Sequence, residues 1–254
     1  MYHRLNQNGK LGSDKEEQMN QLIPKIGAVI VSVTVFLFAI CLIVDFLFGS
    51  YLVCILLPIG YIMMAAGFQH ECCEEQRVPA NIGLVFSAIY AVLILLVYFA
   101  QTTSVRLEDL HEQALRILDY QRGGLLFNYD LLGYGMMALS TFFIGLSIKV
   151  ERNSDKWLKC FMMIHGIFFI GCFVMPMTGA FTNMATGEAG SGGTIALIAW
   201  CAYFLPIGIL AYRHFGKKNW QISIAQTRCA REASCSKRKE RRVKCFCSFF
   251  KYAY

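Results

Sequence analysis

The stretch that decides the fold class is Ile26–Phe48, which reads IGAVIVSVTVFLFAICLIVDFLF. It contains a single charged side chain, that of Asp45. An α-helix rises about 1.5 Å per residue, so about 20 apolar residues are enough to cross a hydrocarbon core about 30 Å thick. Because the backbone has no water to bond with there, a run of this length is expected to be a transmembrane helix.

Five further runs share this length and character, so the sequence predicts an all-α, polytopic membrane protein with a bundle of six transmembrane helices. A basic tail, residues 213–254, follows the six-helix domain of residues 26–212, and residues 1–25 precede it. The five further spans are Tyr51–Phe68, Ile82–Ala100, Leu131–Ile148, Cys160–Thr178 and Thr194–Tyr212.

The composition supports this class. Hydrophobic residues make up 56% of the chain and charged residues 16%, whereas a soluble domain has about 45–50% and about 25%. A disordered chain is also excluded, because it would be polar and poor in aromatic residues. Residues 1–25 lack the apolar stretch of a cleavable signal peptide, so the first span is expected to remain in the mature protein.

The distribution of Lys and Arg predicts the orientation in the membrane. On one side, the two terminal segments and the second and fourth loops hold 21 of the 24 basic residues. The other side holds only Arg106, Arg116 and Arg122. Since cytoplasmic loops carry the excess of basic residues, both termini are expected to be cytoplasmic in a multi-pass plasma-membrane protein.

The loop from Gln101 to Asp130 has apolar residues at helical spacing. We expect an amphipathic helix over Ser104–Gln121, lying on the outer membrane surface or over the mouth of the bundle. Glu112 and Arg116 are spaced four apart, as in a supporting ion pair. Such a helix acts either as a lid over a site or simply as a cover that closes the loop.

Polar residues at the outer ends of the spans suggest a ligand site. Asp45 is predicted to lie about one turn inside the first span, and Asp130 at the start of the fourth, beside Tyr129. With Gln101 at the end of the third span, they are expected to line an outward polar vestibule for a small cation or amine. The alternative is that both carboxylates simply reach the water among the lipid headgroups.

His165 is the second ionisable residue inside the predicted spans. A buried imidazole can relay protons, sense pH or contribute to ligand binding. The alternative is a structural role, in which the ring makes one interhelical hydrogen bond.

A weaker metal hypothesis concerns the end of the second span, where His70, Cys72, Cys73 and Glu74 follow one another closely. If the helix continues, His70 shares a face with Cys73 and Glu74, and the group could hold a soft metal such as zinc or copper. A hydrated helix end explains the same residues.

The tail changes composition abruptly at residue 213. Its polybasic segment is expected to bind anionic lipid at the cytoplasmic face, whereas nucleic acid is not an expected partner. The alternative is a non-essential tail on a complete bundle. The candidate headgroup-binding residues are Lys237, Arg238, Lys239, Arg241 and Arg242.

The sequence contains no common catalytic or phosphate-binding motif, so we expect neither enzymatic activity nor a cofactor. The leading hypothesis is the binding or transport of a small solute or ion through the vestibule. The alternative is a structural or regulatory membrane protein that engages another protein, lipid or further copies of itself.

Two segments, Asn128–Ala138 and Met163–Phe169, resemble small, uncharacterised six-span membrane proteins of Gram-positive bacteria. The resemblance covers roughly residues 20–215 and excludes the tail. It implies a six-helix bundle in a bacterial membrane, but no activity, cofactor or site residue.

Overall fold

The computed structural model describes the backbone of residues 2–179, 181 and 190–216, and the side chains of residues 16–179, 181 and 193–216. All regular secondary structure in these residues is helical. Six segments are long and apolar enough to cross a membrane, as the sequence predicts. They are Glu16–Ile43, Leu47–Glu71, Glu74–Leu107, Leu125–Ser147, Asn153–Met177 and Gly193–Gly216.

Short 3₁₀ turns at Glu74–Gln76 and Tyr120–Arg122 precede the third and sixth helices. The helices in chain order are α1 (Tyr2–Ile43), α2 (Leu47–Glu71), α3 (Arg77–Thr102), α4 (Ser104–Leu107), α5 (Glu112–Leu118), α6 (Leu125–Ser147), α7 (Asn153–His165), α8 (Phe168–Met177) and α9 (Gly190–Gly216).

Glycines bring α1 and α2 into close contact along their length. A Cβ atom on Gly27 would lie 2.6 Å from the carbonyl oxygen of Gly60, and one on Gly60 would lie 2.6 Å from the side chain of Ile30. Any larger residue at either position would separate the two backbones. The pair therefore forms an antiparallel hairpin with a fixed register.

The prediction that the first span continues to Phe48 is wrong. α1 ends at Ile43, and the backbone N–H of Phe46 donates to the carbonyl oxygen of Cys41 at 2.8 Å. Asp45 has φ 53°, in the left-handed region. This hydrogen bond and the left-handed residue before Phe46 define a Schellman motif at the end of the helix. Asp is one of the few residues other than Gly that adopt the left-handed conformation readily.

The interior contains one buried hydrophobic core with a polar link across it. The hydroxyl of Tyr61 on α2 donates to Ser140 Oγ at 3.0 Å, and Ser140 donates to the carbonyl oxygen of Gly83 at 2.7 Å. This chain of bonds joins α2, α6 and α3. The ring of Tyr61 also contacts Phe204 on α9, with 6.4 Å between centroids.

The fifth apolar segment is interrupted near its middle. α7 ends at His165 and α8 begins at Phe168, and between them the N–H of Ile167 donates to the carbonyl oxygen of Ile164 at 3.0 Å. Gly166 in this turn allows close packing on α6, because a Cβ there would lie 2.7 Å from Cβ of Phe142. Such a tight 3₁₀-like turn inside a helix is typical of a hinge or a functional position.

The predicted continuous amphipathic helix over Ser104–Gln121 is also wrong. Only α4, α5 and the 3₁₀ turn are helical, because residues 108–111 leave the helical path. His111 then begins α5 by accepting the N–H of Gln113 on its ring nitrogen. The predicted ion pair between Glu112 and Arg116 is present at 3.7 Å.

The connections between neighbouring segments lie at alternate ends of the bundle. We call one the long-loop end, with residues 44–46, 103–124, 178–179 and 181, where the rings of Tyr51 and Tyr120 meet at 6.0 Å. We call the other the termini end, with residues 72–76, 148–152 and the end of α9, where His214 contacts Asp155.

Candidate functional site

A group of tyrosines surrounds Asp130 at the long-loop end. They come from α2, α3, α6 and the 3₁₀ turn before α6. Because α2 and α6 begin and α3 ends at this end of the bundle, antiparallel packing brings their polar residues together. We call this group the Asp130 cluster. Its members are Asp130, Tyr51, Cys54, Tyr90, Tyr98, Tyr120 and Tyr134.

Asp130 is 2% exposed, although it is a carboxylic acid. The phenol groups of Tyr98 and Tyr120 are neighbours of its carboxyl group. Its Oδ1 atom is buried and has no hydrogen-bond partner among the described residues, and the same holds for the hydroxyls of Tyr51 and Tyr90. Buried polar atoms are nearly always paired with protein or water, so three unpaired ones in one cluster indicate a place for water or a ligand.

Three aromatic rings form a triangle in the outer part of the cluster. The ring centroid of Tyr51 lies 5.6 Å from that of Tyr98 and 6.0 Å from that of Tyr120, and the other two are 6.0 Å apart. Aromatic faces attract cations electrostatically, and the attraction is larger where water is excluded. The triangle and the carboxyl group together favour a positively charged ligand over an anion.

The inner part of the cluster continues toward α9. Cys54 Sγ lies 3.9 Å from the hydroxyl of Tyr134, whose ring packs edge-on against Trp200 at 5.3 Å. The ring of Tyr90 lies 5.8 Å from that of Tyr134. The polar atoms thus extend from the long loop into the bundle.

Gln101 positions the loop residue of the cluster. Its Nε2 donates to the carbonyl oxygen of Leu118 at 2.7 Å, and its Oε1 accepts the backbone N–H of Tyr120 at 3.1 Å. Burial raises the pKa of the Tyr120 phenol well above its ordinary value, so this hydroxyl stays a donor at neutral pH. Gln101, predicted as a ligand residue, therefore has its amide engaged with the loop backbone.

The other two predicted vestibule residues lie outside the cluster. Asp45 is exposed in the turn after α1, so the prediction that it lies inside a span is wrong. Tyr129 is 41% exposed, unlike its buried neighbour Asp130. The two carboxylates of the expected vestibule therefore do not meet in one buried site.

His165 is buried at the break between α7 and α8, and both its ring nitrogens have partners. Trp200 Nε1 donates to His165 Nε2 at 3.1 Å, and Thr141 Oγ1 lies 2.8 Å from Nδ1. The Thr141 hydroxyl gives its hydrogen to the carbonyl oxygen of Ala138. The imidazole must therefore accept at Nε2 and donate at Nδ1, which assigns a neutral ring with one proton.

The helix that the metal hypothesis requires ends too early. α2 ends at Glu71 and Cys72 is extended, so His70 does not share a helical face with Cys73 and Glu74. Cys73 Sγ donates to Gln76 Oε1 at 3.5 Å instead. Among the described residues, no group of three or more His, Cys, Asp or Glu side chains is arranged to hold a metal ion.

The polybasic residues predicted to bind lipid headgroups, residues 237–242, lie outside the described residues. Sequence reasoning found Asp130 but missed Tyr98 and Tyr120 as its neighbours. The sequence offers one signal for them: both tyrosines lie near the end of a predicted helix, and both ends are predicted on the outer side of the membrane.

Comparison of the chain with protein-family models, curated proteins and solved structures finds no match. The class that the fold defines is that of all-helical proteins with six helices long and apolar enough to cross a membrane.

Proposed function

We propose that this chain is a multi-pass membrane protein that binds a small cation at the Asp130 cluster and transports it across the membrane. One observation carries the proposal, namely the buried carboxyl of Asp130 with an oxygen that has no partner among the described residues. A charged group inside a membrane is costly unless it is paired or hydrated, so such groups usually serve an ion or solute pathway. A bound cation would supply the missing partner.

The membrane is the environment that this proposal requires. The exposed large side chains of the six apolar segments are mostly aliphatic or aromatic, as a lipid-facing surface needs. The excess of Lys and Arg near the termini favours a cytoplasmic termini end in a plasma membrane. The long-loop end and the Asp130 cluster then face the outside, and the basic tail faces anionic lipid.

The chemistry of the cluster favours monovalent cations. One carboxylate balances one positive charge, and three tyrosine rings and several hydroxyls supply weak neutral contacts around it. A divalent metal would need more charged oxygen ligands than the cluster holds. Alkali ions, ammonium and small alkylammonium ions are therefore the candidates.

A thermal-shift titration of the purified full-length protein in detergent tests this proposal. A ligand that binds only the folded state stabilises it by about 2.7 kcal/mol at about 100 times its dissociation constant. We expect a saturable rise in melting temperature with at least one monovalent cation, and its loss in Asp130→Asn. Asp45→Asn is the matched control, since Asp45 is exposed in a turn, and it should retain the shift. A response to none of these cations, or a shift that survives Asp130→Asn, would contradict the proposal.

The alternative is a structural or regulatory membrane protein without transport activity. The observation in its favour is that Gln101 and His165, two of the predicted ligand residues, have their polar atoms engaged within the bundle. A rigid bundle of this kind can serve as a scaffold for other proteins or copies of itself. The absence of any cation response in the titration would favour this alternative.

A further inference from the structure

A second group of ionisable side chains lies at the termini end, two of them buried and two partly buried. We call it the His214 cluster, and its members are Glu71 on α2, Arg152 and Asp155 at the start of α7, and His214 near the end of α9. The side chains of His214 and Asp155 are 6% and 2% exposed, and that of Glu71 is 12% exposed. Burial of several charges is costly unless they balance one another, so their arrangement requires an explanation.

His214 lies between two carboxylates. Its Nδ1 atom is 3.0 Å from Asp155 Oδ1, and its Nε2 atom is 3.2 Å from Glu71 Oε2. Arg152 completes the cluster, with Nε 3.3 Å from Asp155 Oδ2 and with its backbone N–H donating to the same oxygen at 3.1 Å. The contacts therefore join α2, α7 and α9.

The two distances specify the protonation state that the cluster needs. Ionised carboxylates only accept hydrogen bonds, so a ring nitrogen bonds to one only when it carries a hydrogen. A neutral imidazole carries one such hydrogen and would point a lone pair at the second carboxylate. Only the doubly protonated imidazolium satisfies both Asp155 and Glu71.

Electrostatics gives the same answer. A positively charged ring is favoured beside two carboxylates, one of which also contacts the guanidinium of Arg152. The rings of Phe68 and Phe215 pack against His214 with centroids 5.4 Å and 5.5 Å away, and they limit the access of water that would weaken these contacts.

We infer that His214 is a proton-binding site, and that its bound proton clamps α2, α7 and α9 together at the termini end. Among the described residues, the charged groups that face the ring are Glu71 from α2, and Asp155 and Arg152 from the start of α7. When the proton leaves, the ring keeps a hydrogen bond to only one of the two carboxylates, beside the bond from Arg152 Nη2 to the carbonyl oxygen of His214 at 3.5 Å. The clamp therefore holds while the ring carries both protons and loosens as rising pH removes one of them.

His165 shows that this behaviour is not a property of every buried histidine here. Its Nε2 accepts from Trp200, so a proton added there would break a hydrogen bond rather than make one. The two rings thus respond in opposite ways to acid, and the difference follows from their partners.

Two measurements on the full-length protein in detergent test the inference. The first is the melting temperature from about pH 5 to about pH 8, the range in which histidine changes charge. The second is the exchange rate of the imidazole C2 hydrogen, which mass spectrometry reads for each histidine of the wild-type protein. We expect the melting temperature to fall as the pH rises, in step with the loss of the proton from His214.

Variants assign the effect to this residue. His214→Gln should lower the melting temperature at acidic pH by several degrees and flatten its dependence on pH, because glutamine has no proton to lose. His70→Gln is the matched control, an exposed histidine at the same end of the bundle, and should keep the wild-type profile. If His214→Gln does not fold, C2 exchange in the wild type still decides the matter. A His214 ring that is neutral throughout this range, or a melting temperature that does not follow its titration, would overturn the inference.

Discussion

Trp200 Nε1 donates a hydrogen bond to His165 Nε2 at 3.1 Å, and this contact joins α9 to the break between α7 and α8. An indole N–H can only donate, so the pair fixes the imidazole as an acceptor at that atom. Thr141 on α6 bonds to the other ring nitrogen at 2.8 Å. One histidine therefore links three segments of the bundle at the position where the fifth apolar segment is interrupted.

Replacing Trp200 by phenylalanine keeps an aromatic ring but removes the donor. We expect Trp200→Phe to lower the free energy of unfolding by about 1 kcal/mol, the size measured for interhelical hydrogen bonds in membrane proteins. Trp157→Phe is the control, because Trp157 is 60% exposed. Detergent-denaturant titration followed by circular dichroism measures both. Equal losses in the two variants would argue against a contribution from the bond to His165.

The glycine contact between α1 and α2 predicts a contrast between two Gly→Ala changes. A Cβ on Gly27 would lie 2.6 Å from a backbone oxygen, whereas one on Gly171 would meet nothing within 4 Å. Gly27→Ala should therefore cost about 1–3 kcal/mol through overpacking. Gly171→Ala should be neutral or stabilise α8 by up to about 1 kcal/mol, because alanine is the better helix former. The same unfolding titration compares them, and a tolerated Gly27→Ala would show that the helices are farther apart.

Gln101 predicts a local change in the dynamics of the long loop. Gln101→Ala removes the acceptor for the backbone N–H of Tyr120 and the donor to Leu118. We expect hydrogen exchange at the Tyr120 amide to rise by about fivefold, since a net hydrogen bond contributes about 1 kcal/mol. Gln113→Ala, an exposed glutamine in the same loop, should leave that amide unchanged. Unaltered exchange in Gln101→Ala would mean that other contacts hold the loop.

The long loop should also loosen in acid. The Arg122 guanidinium that hydrogen-bonds to Glu112 holds the pKa of that carboxyl below its ordinary value. Since the pKa is lower in the folded protein, the contact stabilises the loop above the unfolded value of about 4.3 and is lost as the pH falls through the folded one. We expect the protection factors of the Arg122 and Gly123 amides, which correct for the slower intrinsic exchange at low pH, to fall in acid. Glu112→Gln should reproduce this fall at neutral pH, whereas Glu108→Gln, an exposed glutamate nearby, should not.

The number of apolar helices could be predicted from the sequence, because run length and the cost of an unpaired backbone in hydrocarbon depend on local composition alone. Helix ends were harder to predict. Asp45 looked like a charge inside a span because Phe46 and its neighbours are apolar. The chain leaves the helix there through a left-handed residue, which the composition of the run does not reveal.

The candidate site was predicted in part. Asp130 stood out as a carboxylate at the start of an apolar run, and the structure buries it. Tyr98 and Tyr120 join it only because α3 packs on α6 and Gln101 draws the loop inward, which are contacts between distant parts of the chain. Glu71 and His214 meet for the same reason, and no local spacing relates them.

The measurement that tests the central claim most directly is an infrared difference spectrum on cation binding, recorded for the full-length protein in lipid. Asp130 is the acid whose Oδ1 atom lacks a partner among the described residues. We expect the cation with the largest thermal shift to change the carboxyl bands of the wild type and of Asp45→Asn, and to leave Asp130→Asn without that change. Identical difference bands in Asp130→Asn, or no carboxyl change in the wild type, would contradict cation binding at Asp130.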